Sequence, residues 1–155
     1  MIDDESAALL ESEVSLYVAT VDAAGAPDAE RGFALQVLDG GTRVRVSVPA
    51  DNQVLQSNLA ATGVVAITGN EIVSNQAIQV KGRVAVPAGP ETADDRALRE
   101  AHVTAFVRVV HDYMGTSPDV IDRRMPREFV VFDVEVEEVY DQTPGPSAGR
   151  RLAPA

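Results

Sequence analysis

Short apolar runs alternate with turn-forming clusters along this chain, and the spacing of the apolar positions assigns an element to each run. Residues 3–13, "DDESAALLESE", predict a short helix with an acidic first turn and Ala7, Leu9 and Leu10 on one side. Residues 14–21 are β-branched and aromatic, "DAAGAP" is a turn cluster, and residues 30–38 predict the return strand. After "DGG", Val44, Val46 and Val48 alternate with Arg43, Arg45 and Ser47, a period of two that buries one face of a third strand.

The second half follows the same logic. "ADNQVLQSNLAATG" predicts a helix capped by Asp51 or Asn52, with Val54, Leu55 and Leu59 at helical spacing and Gly63 at its end. "GVVAITG" is an apolar strand, "NEIVSN" a loop, and "QAIQVKGRVAVP" a fifth strand stopped by Pro87. A longer helix is expected from Pro90 and Glu91 to Gly115, then a turn of helix in "SPDVIDRRMP", then a sixth strand in "EFVVFDVEVEEVY". Links of hairpin length join the first three strands, so the sheet should be mostly antiparallel, and six short strands can curl into a small barrel. The expected fold is mainly β with flanking helices: one six-stranded antiparallel barrel over residues 1–140. The Pro/Gly-rich tail, residues 141–155, is expected to lack regular structure.

Composition narrows the function. The 155 residues carry 24 acidic against 13 basic side chains, a formal charge of −11. A general nucleic-acid binder needs a basic face, so that class is set aside, although a local pocket for one small anion is not. Without cysteine there is no disulfide, thiolate nucleophile or sulfur ligand. The acidic start, "MIDDESAALLESE", is unlike a signal peptide, and no apolar run reaches membrane-spanning length; a cytoplasmic location without a membrane partner is the expectation.

Little of the usual catalytic grammar is present. His102 and His111 stand nine residues apart on the predicted long helix and so point in roughly opposing directions, without an acidic bracket; no metal site is expected. Neither a nucleophile elbow nor a phosphate-binding glycine loop occurs. Lys81, the one lysine in the chain, stands instead inside an apolar strand. Strand alternation puts Ala77, Gln79, Lys81 and Arg83 on one face, and Ile78, Val80 and Val84 on the other. The apolar face must fill the barrel, so the polar one meets solvent, another subunit or an anionic ligand. Arg31 on the second strand, with Gln36 on its opposite face, and the free N–H groups near Asn52 and Gln53 are two further anion-friendly elements.

Several segments in order, "VATVDAAGAPDAERGF", "VRVSVP", "NLAATGVVAIT" and "IQVKGRVAV", resemble the pyridoxamine 5′-phosphate oxidase-like superfamily of flavin-binding split barrels, and "VYDQTPGPSAGR" resembles the tail of an uncharacterised bacterial branch of it. The resemblance runs over roughly residues 8–150. It implies a homodimer of six-stranded split barrels holding two flavin mononucleotides (FMN) in grooves between the subunits, and oxidoreductase chemistry on a small molecule. By position it implies that Arg31 faces the phosphate or ribityl chain. Ser47, Asn52 and Gln53 would add phosphate contacts, while Gln79 and Lys81 would line the flavin groove.

The chain also departs from that pattern. Firm flavin binders of the superfamily often carry cations before the helix and ahead of the fifth strand, where this chain reads "ADNQ" and "VSNQA"; no Lys or Arg occurs between Arg45 and Lys81. Two lost charge-assisted hydrogen bonds would weaken phosphate binding by on the order of a hundredfold. Arg123, Arg124 and Arg127, or Arg150 and Arg151 in the tail, could reach a shared groove in compensation; otherwise they should pair with neighbouring carboxylates. The alternative expectation is a non-enzymatic split-barrel module that binds haem, a deazaflavin or no cofactor.

Overall fold

The computed structural model describes residues 1–153. In chain order the elements are α1 (Asp4–Leu10), β1 (Ser15–Val21), β2 (Pro27–Gly32), β3 (Ala34–Leu38), β4 (Arg43–Pro49), α2 (Gln53–Ala61), β5 (Val64–Asn70), β6 (Ala77–Pro90), α3 (Ala93–Met114), α4 (Pro118–Asp122), β7 (Phe129–Asp141) and β8 (Arg150–Ala153). All strand pairs are antiparallel, in the order β2-β1-β5-β6-β7-β4-β3, and β8 pairs with β7. The two ends of that order are contiguous in the chain. β2 passes into β3 across Phe33, whose N–H donates to the Ser47 carbonyl at 2.9 Å, so the sheet curls into a split barrel of six strands with β8 as an addition.

That bend corrects the expected continuous strand over residues 30–38. Gly32 lies against Leu16, where an added Cβ would stand 2.8 Å from the Leu16 Cβ. The strand turns at this close approach, pairing with β1 before it and with β4 after it. At Gly82 a Cβ would fall 1.9 Å from the Glu135 carbonyl oxygen. The register between β6 and β7 shifts there, from Lys81 opposite Glu138 to Gly82 opposite Val136.

Side chains from every face of the barrel meet in one core: Leu10, Val14, Leu16, Val18, Val44, Val46, Val48, Leu55 and Ile67 are fully buried, with Val80, Phe132 and Val134 beside them. Burying each such side chain contributes roughly 1.5–3 kcal/mol. α2 plugs one mouth through Leu55 and Leu59, capped by Asn52, whose Oδ1 accepts from the Leu55 N–H at 2.9 Å. Thr92 caps α3 in a reciprocal box with Asp95, and left-handed Gly115 closes it, so α3 begins two residues beyond the expected Pro90–Glu91 start. β6 runs on to Pro90, past the expected stop at Pro87. The register irregularities around residues 84–89 leave Pro87 without a ladder partner, so its missing N–H costs nothing.

The tail also differs from expectation. Asp141 ends β7, a turn follows in which the Gly149 N–H donates to the Asp141 carbonyl at 2.7 Å, and Arg150–Ala153 forms β8. Residues 154–155, also assigned to the tail, lie outside the described residues. Arg150 approaches Asp141 at 3.8 Å and Arg151 approaches Glu138 at 3.3 Å, so paired strand, rather than loose chain, carries these arginines. No helix among the described residues is long and apolar enough to cross a membrane.

Candidate functional site

α3 packs against β3 on the outer surface of the barrel. Its N-terminal end lies over β4, where Arg45 donates from Nε to Asp133 Oδ1 at 2.7 Å and from Nη2 to Oδ2 at 3.1 Å, while Nη1 reaches Asp95 at 3.4 Å. Burial would raise the pKa of Asp95. Hydrogen bonds from the Thr92 hydroxyl and N–H, with the Arg45 charge, outweigh burial and hold the carboxyl below its ordinary range. Ser47 belongs to this covered side. It is 3% exposed, and its hydroxyl donates to Glu91 Oε1 at 2.7 Å, an oxygen that Arg99 Nε also contacts at 2.7 Å.

The other side is bare, and there the strand registers align one outward row. Arg31 on β2 stands opposite Tyr17 on β1, Tyr17 opposite Thr68 on β5, Thr68 opposite Gln79 on β6, and Gln79 opposite Tyr140 on β7. Three strand spacings of about 4.8 Å separate Arg31 from Gln79, or roughly 14 Å along the sheet. Gln79 is held on both sides: its Nε2 donates to Thr68 Oγ1 at 3.0 Å and its Oε1 accepts from Gln142 at 3.3 Å. In the next row, Lys81 faces Ala66, which faces Ala19, which faces Ala29, so small side chains leave a shallow floor beside the ammonium group. Lys81 Nζ lies 4.7 Å from the Tyr140 ring centroid, and Glu138 sits across from it on β7. Tyr17, at 49% exposed, is the largest open apolar surface on this face.

Asn52 and Gln53 occupy a different position, at the barrel mouth. The Asn52 amide donates to Glu30 Oε2 at 2.7 Å, and Gln53 is exposed at the first turn of α2. Glu30 and Arg31 alternate across β2, so the structure joins Asn52 to Glu30 and sends Arg31 out the other way. The six residues singled out from sequence therefore fall into three places: Arg31, Gln79 and Lys81 on the bare face, Asn52 and Gln53 at the mouth, and Ser47 beneath the start of α3. Tyr17, Thr68 and Tyr140 escaped notice because cross-strand register, which alone aligns them with Arg31 and Gln79, is not written in any single strand.

Arg31 also borders a cavity of about 330 Å³ between β2 and the helices α3 and α4. Its guanidinium lies 5.1 Å from the Phe106 ring centroid, and His102 stacks on the same ring at 6.4 Å. Burial lowers the His102 pKa, against the opposing pull of the Val14 backbone and Glu13. His111 is exposed, with Nδ1 3.1 Å from the Thr116 carbonyl oxygen. Arg123, Arg124 and Arg127 were expected either to reach a shared groove or to pair with nearby carboxylates; among the described residues none lies within 4.0 Å of one.

The geometry can be set beside known proteins. A family model described as pyridoxamine 5′-phosphate oxidase matches residues 2–143. Among solved structures, HupZ of Group A Streptococcus is 20% identical, with 96% of this chain and 100% of that chain covered and a TM-score of 0.59. An F420 reductase is 19% identical over 85% of this chain and 93% of its own, with a TM-score of 0.57. A candidate pyridoxamine 5′-phosphate oxidase from Lactobacillus delbrueckii is 20% identical over 88% and 91%, with a TM-score of 0.53. At these identities the likeness to each structure is one of fold. No curated protein matches the chain.

Proposed function

The chain belongs to the pyridoxamine 5′-phosphate oxidase family, and from that membership we propose that it is an FMN-binding, flavin-dependent oxidoreductase acting on a small organic molecule. Two copies would pair through their bare barrel faces and hold the flavin in the groove between them.

The observation that carries this reading is the outward row from Arg31 to Tyr140, with Lys81 beside it. Its donors suit a flavin. Arg31 and Lys81 supply cations at separated points for an anionic group, the tethered Gln79 amide offers a fixed polar partner for a ring edge, and Tyr17 and Tyr140 offer aromatic surface. The floor of Ala19, Ala29 and Ala66 lets a planar group approach the sheet. Asn52 and Gln53 present the N-terminus of α2 at the mouth, and Ser47 adds a hydroxyl already committed to Glu91. A bound flavin would supply the electron-transfer chemistry, and the chain's own residues would bind and orient it.

The test is a titration of cofactor-stripped protein with FMN, followed by flavin fluorescence and melting temperature together, because a ligand of the folded state raises apparent stability. Saturation near one flavin per chain is expected, weakened about tenfold or more in Lys81→Gln and in Arg31→Ala, since a charge-assisted hydrogen bond contributes roughly 1.5–3 kcal/mol. No saturation at high micromolar FMN would overturn the flavin assignment. The absence of any cation between Arg45 and Lys81 favours a second reading, a deazaflavin in the same groove, and the same titration with a deazaflavin decides between them.

A further inference from the structure

Gln142 lies just past β7, at the entrance to the Pro/Gly-rich turn, where a polar side chain ordinarily faces solvent. The turn closes without that side chain. The Gln142 N–H donates to the Ala77 carbonyl at 2.7 Å, Thr143 Oγ1 accepts from the Ala77 N–H at 3.1 Å, and Asp141 Oδ1 accepts from the Thr143 N–H at 2.9 Å. These bonds staple the end of β7 to the first residue of β6 and bring the Gln142 amide to Gln79, two residues along that strand. There Gln142 Nε2 donates to Gln79 Oε1 at 3.3 Å, while Gln79 Nε2 donates to Thr68 Oγ1 on β5 at 3.0 Å. Two elements that meet nowhere else on this face therefore grip one half-buried amide from opposite ends.

We propose that Gln142 and Thr68 are positioning residues: they lock the Gln79 amide on the bare face, and through it set how tightly a flavin ring is held and how evenly between its oxidised and reduced forms. This rests on the flavin reading above. An amide carries two N–H donors and two oxygen lone pairs, so the two tethers leave one N–H and one lone pair for a ligand. A free glutamine side chain samples many rotamers and loses that freedom on binding. A tethered one has already lost it, so the ring meets a partner set in advance. A fixed donor and acceptor cannot suit both redox forms equally, because reduction adds N–H groups to the ring.

A double-mutant cycle on the full chain tests this, read by FMN titration and by the midpoint potential of the bound flavin. Gln142→Leu and Thr68→Val keep the bulk and lose the tether. Each should weaken FMN binding about three- to tenfold, as expected for one neutral hydrogen bond. Each should also change the ratio of affinities for oxidised and reduced FMN about threefold, which is about 14 mV for a two-electron couple. Thr68→Ser, which keeps the hydroxyl, should stay within about twofold of the native chain. In a Gln79→Ala background neither Gln142→Leu nor Thr68→Val should have a further effect, because both act through that amide. Nitrogen relaxation of the Gln79 side-chain amide in flavin-free protein, rigid in the native chain and mobile in Gln142→Leu, reads the tether directly. Native affinity and potential in Gln142→Leu and Thr68→Val, an equal loss with and without Gln79, or an amide as rigid in Gln142→Leu as in the native chain would each overturn the proposal and leave the flavin reading standing. Failure of FMN to saturate the native chain would overturn the flavin reading, and the proposal with it.

Discussion

Replacing Arg45 by Met should be among the most damaging substitutions in this protein, although Arg45 is itself one-third exposed. The reason is its partner. Asp133 is 2% exposed, and Arg45 gives it two hydrogen bonds, at 2.7 and 3.1 Å. After the substitution the nearest cation is Arg43, whose Nε stands 3.9 Å away. Removing one member of a buried ion pair costs about 3–5 kcal/mol, because the other charge stays desolvated. Arg43 and the partial exposure of Arg45 offset some of that, so about 3 kcal/mol is the working figure. In a domain of this size each kcal/mol moves the melting temperature by roughly 2–4 °C, which gives a fall of about 6–12 °C. The same change frees Asp95 from its 3.4 Å contact with Arg45 Nη1 and so loosens the start of α3 over β4. Thermal unfolding followed by circular dichroism is the assay, on Arg45→Met, Asp133→Asn and the double variant. If the harm comes from the stranded carboxylate, the double variant should recover most of the loss. A fall of less than about 3 °C in Arg45→Met, or a double variant no better than the single, would refute the reasoning.

Two further outcomes follow from the same structure. His102, whose pKa burial lowers, binds fewer protons folded than unfolded as pH falls below its ordinary pKa of 6.5. Its contribution is therefore fully present above pH 6.5 and is lost as pH falls toward the folded pKa; denaturant midpoints at pH 7.5, 6.5 and 5.5 should decline in the native chain and flatten in His102→Gln. Gly82→Ala would set a Cβ 1.9 Å from the Glu135 carbonyl, and the β6–β7 ladder would have to part there. A loss of several °C in melting temperature, well beyond that of Gly89→Ala, whose added Cβ meets nothing within 4 Å, is expected from parallel melting curves.

Apart from the strand over residues 30–38, which breaks at Phe33, the expected strands exist, because Val44, Val46 and Val48, or Val80 against Lys81, obey a local rule that needs no knowledge of the neighbours. What escaped was decided between segments. Phe33 looks like any apolar strand residue; it became the bend between β2 and β3 because Gly32 meets Leu16 and the chain must serve two different partner strands. Residues 150–153 have no strand pattern of their own, yet they pair with β7 because the far edge of Tyr140 and Asp141 is otherwise open, and Arg150 and Arg151 find Asp141 and Glu138 there. The candidate site divides in the same way. Gln79 and Lys81 could be placed on an outward face from alternation alone. Their neighbours Tyr17, Thr68 and Tyr140 are fixed by register, which joins positions on four different strands and is carried by none of them alone.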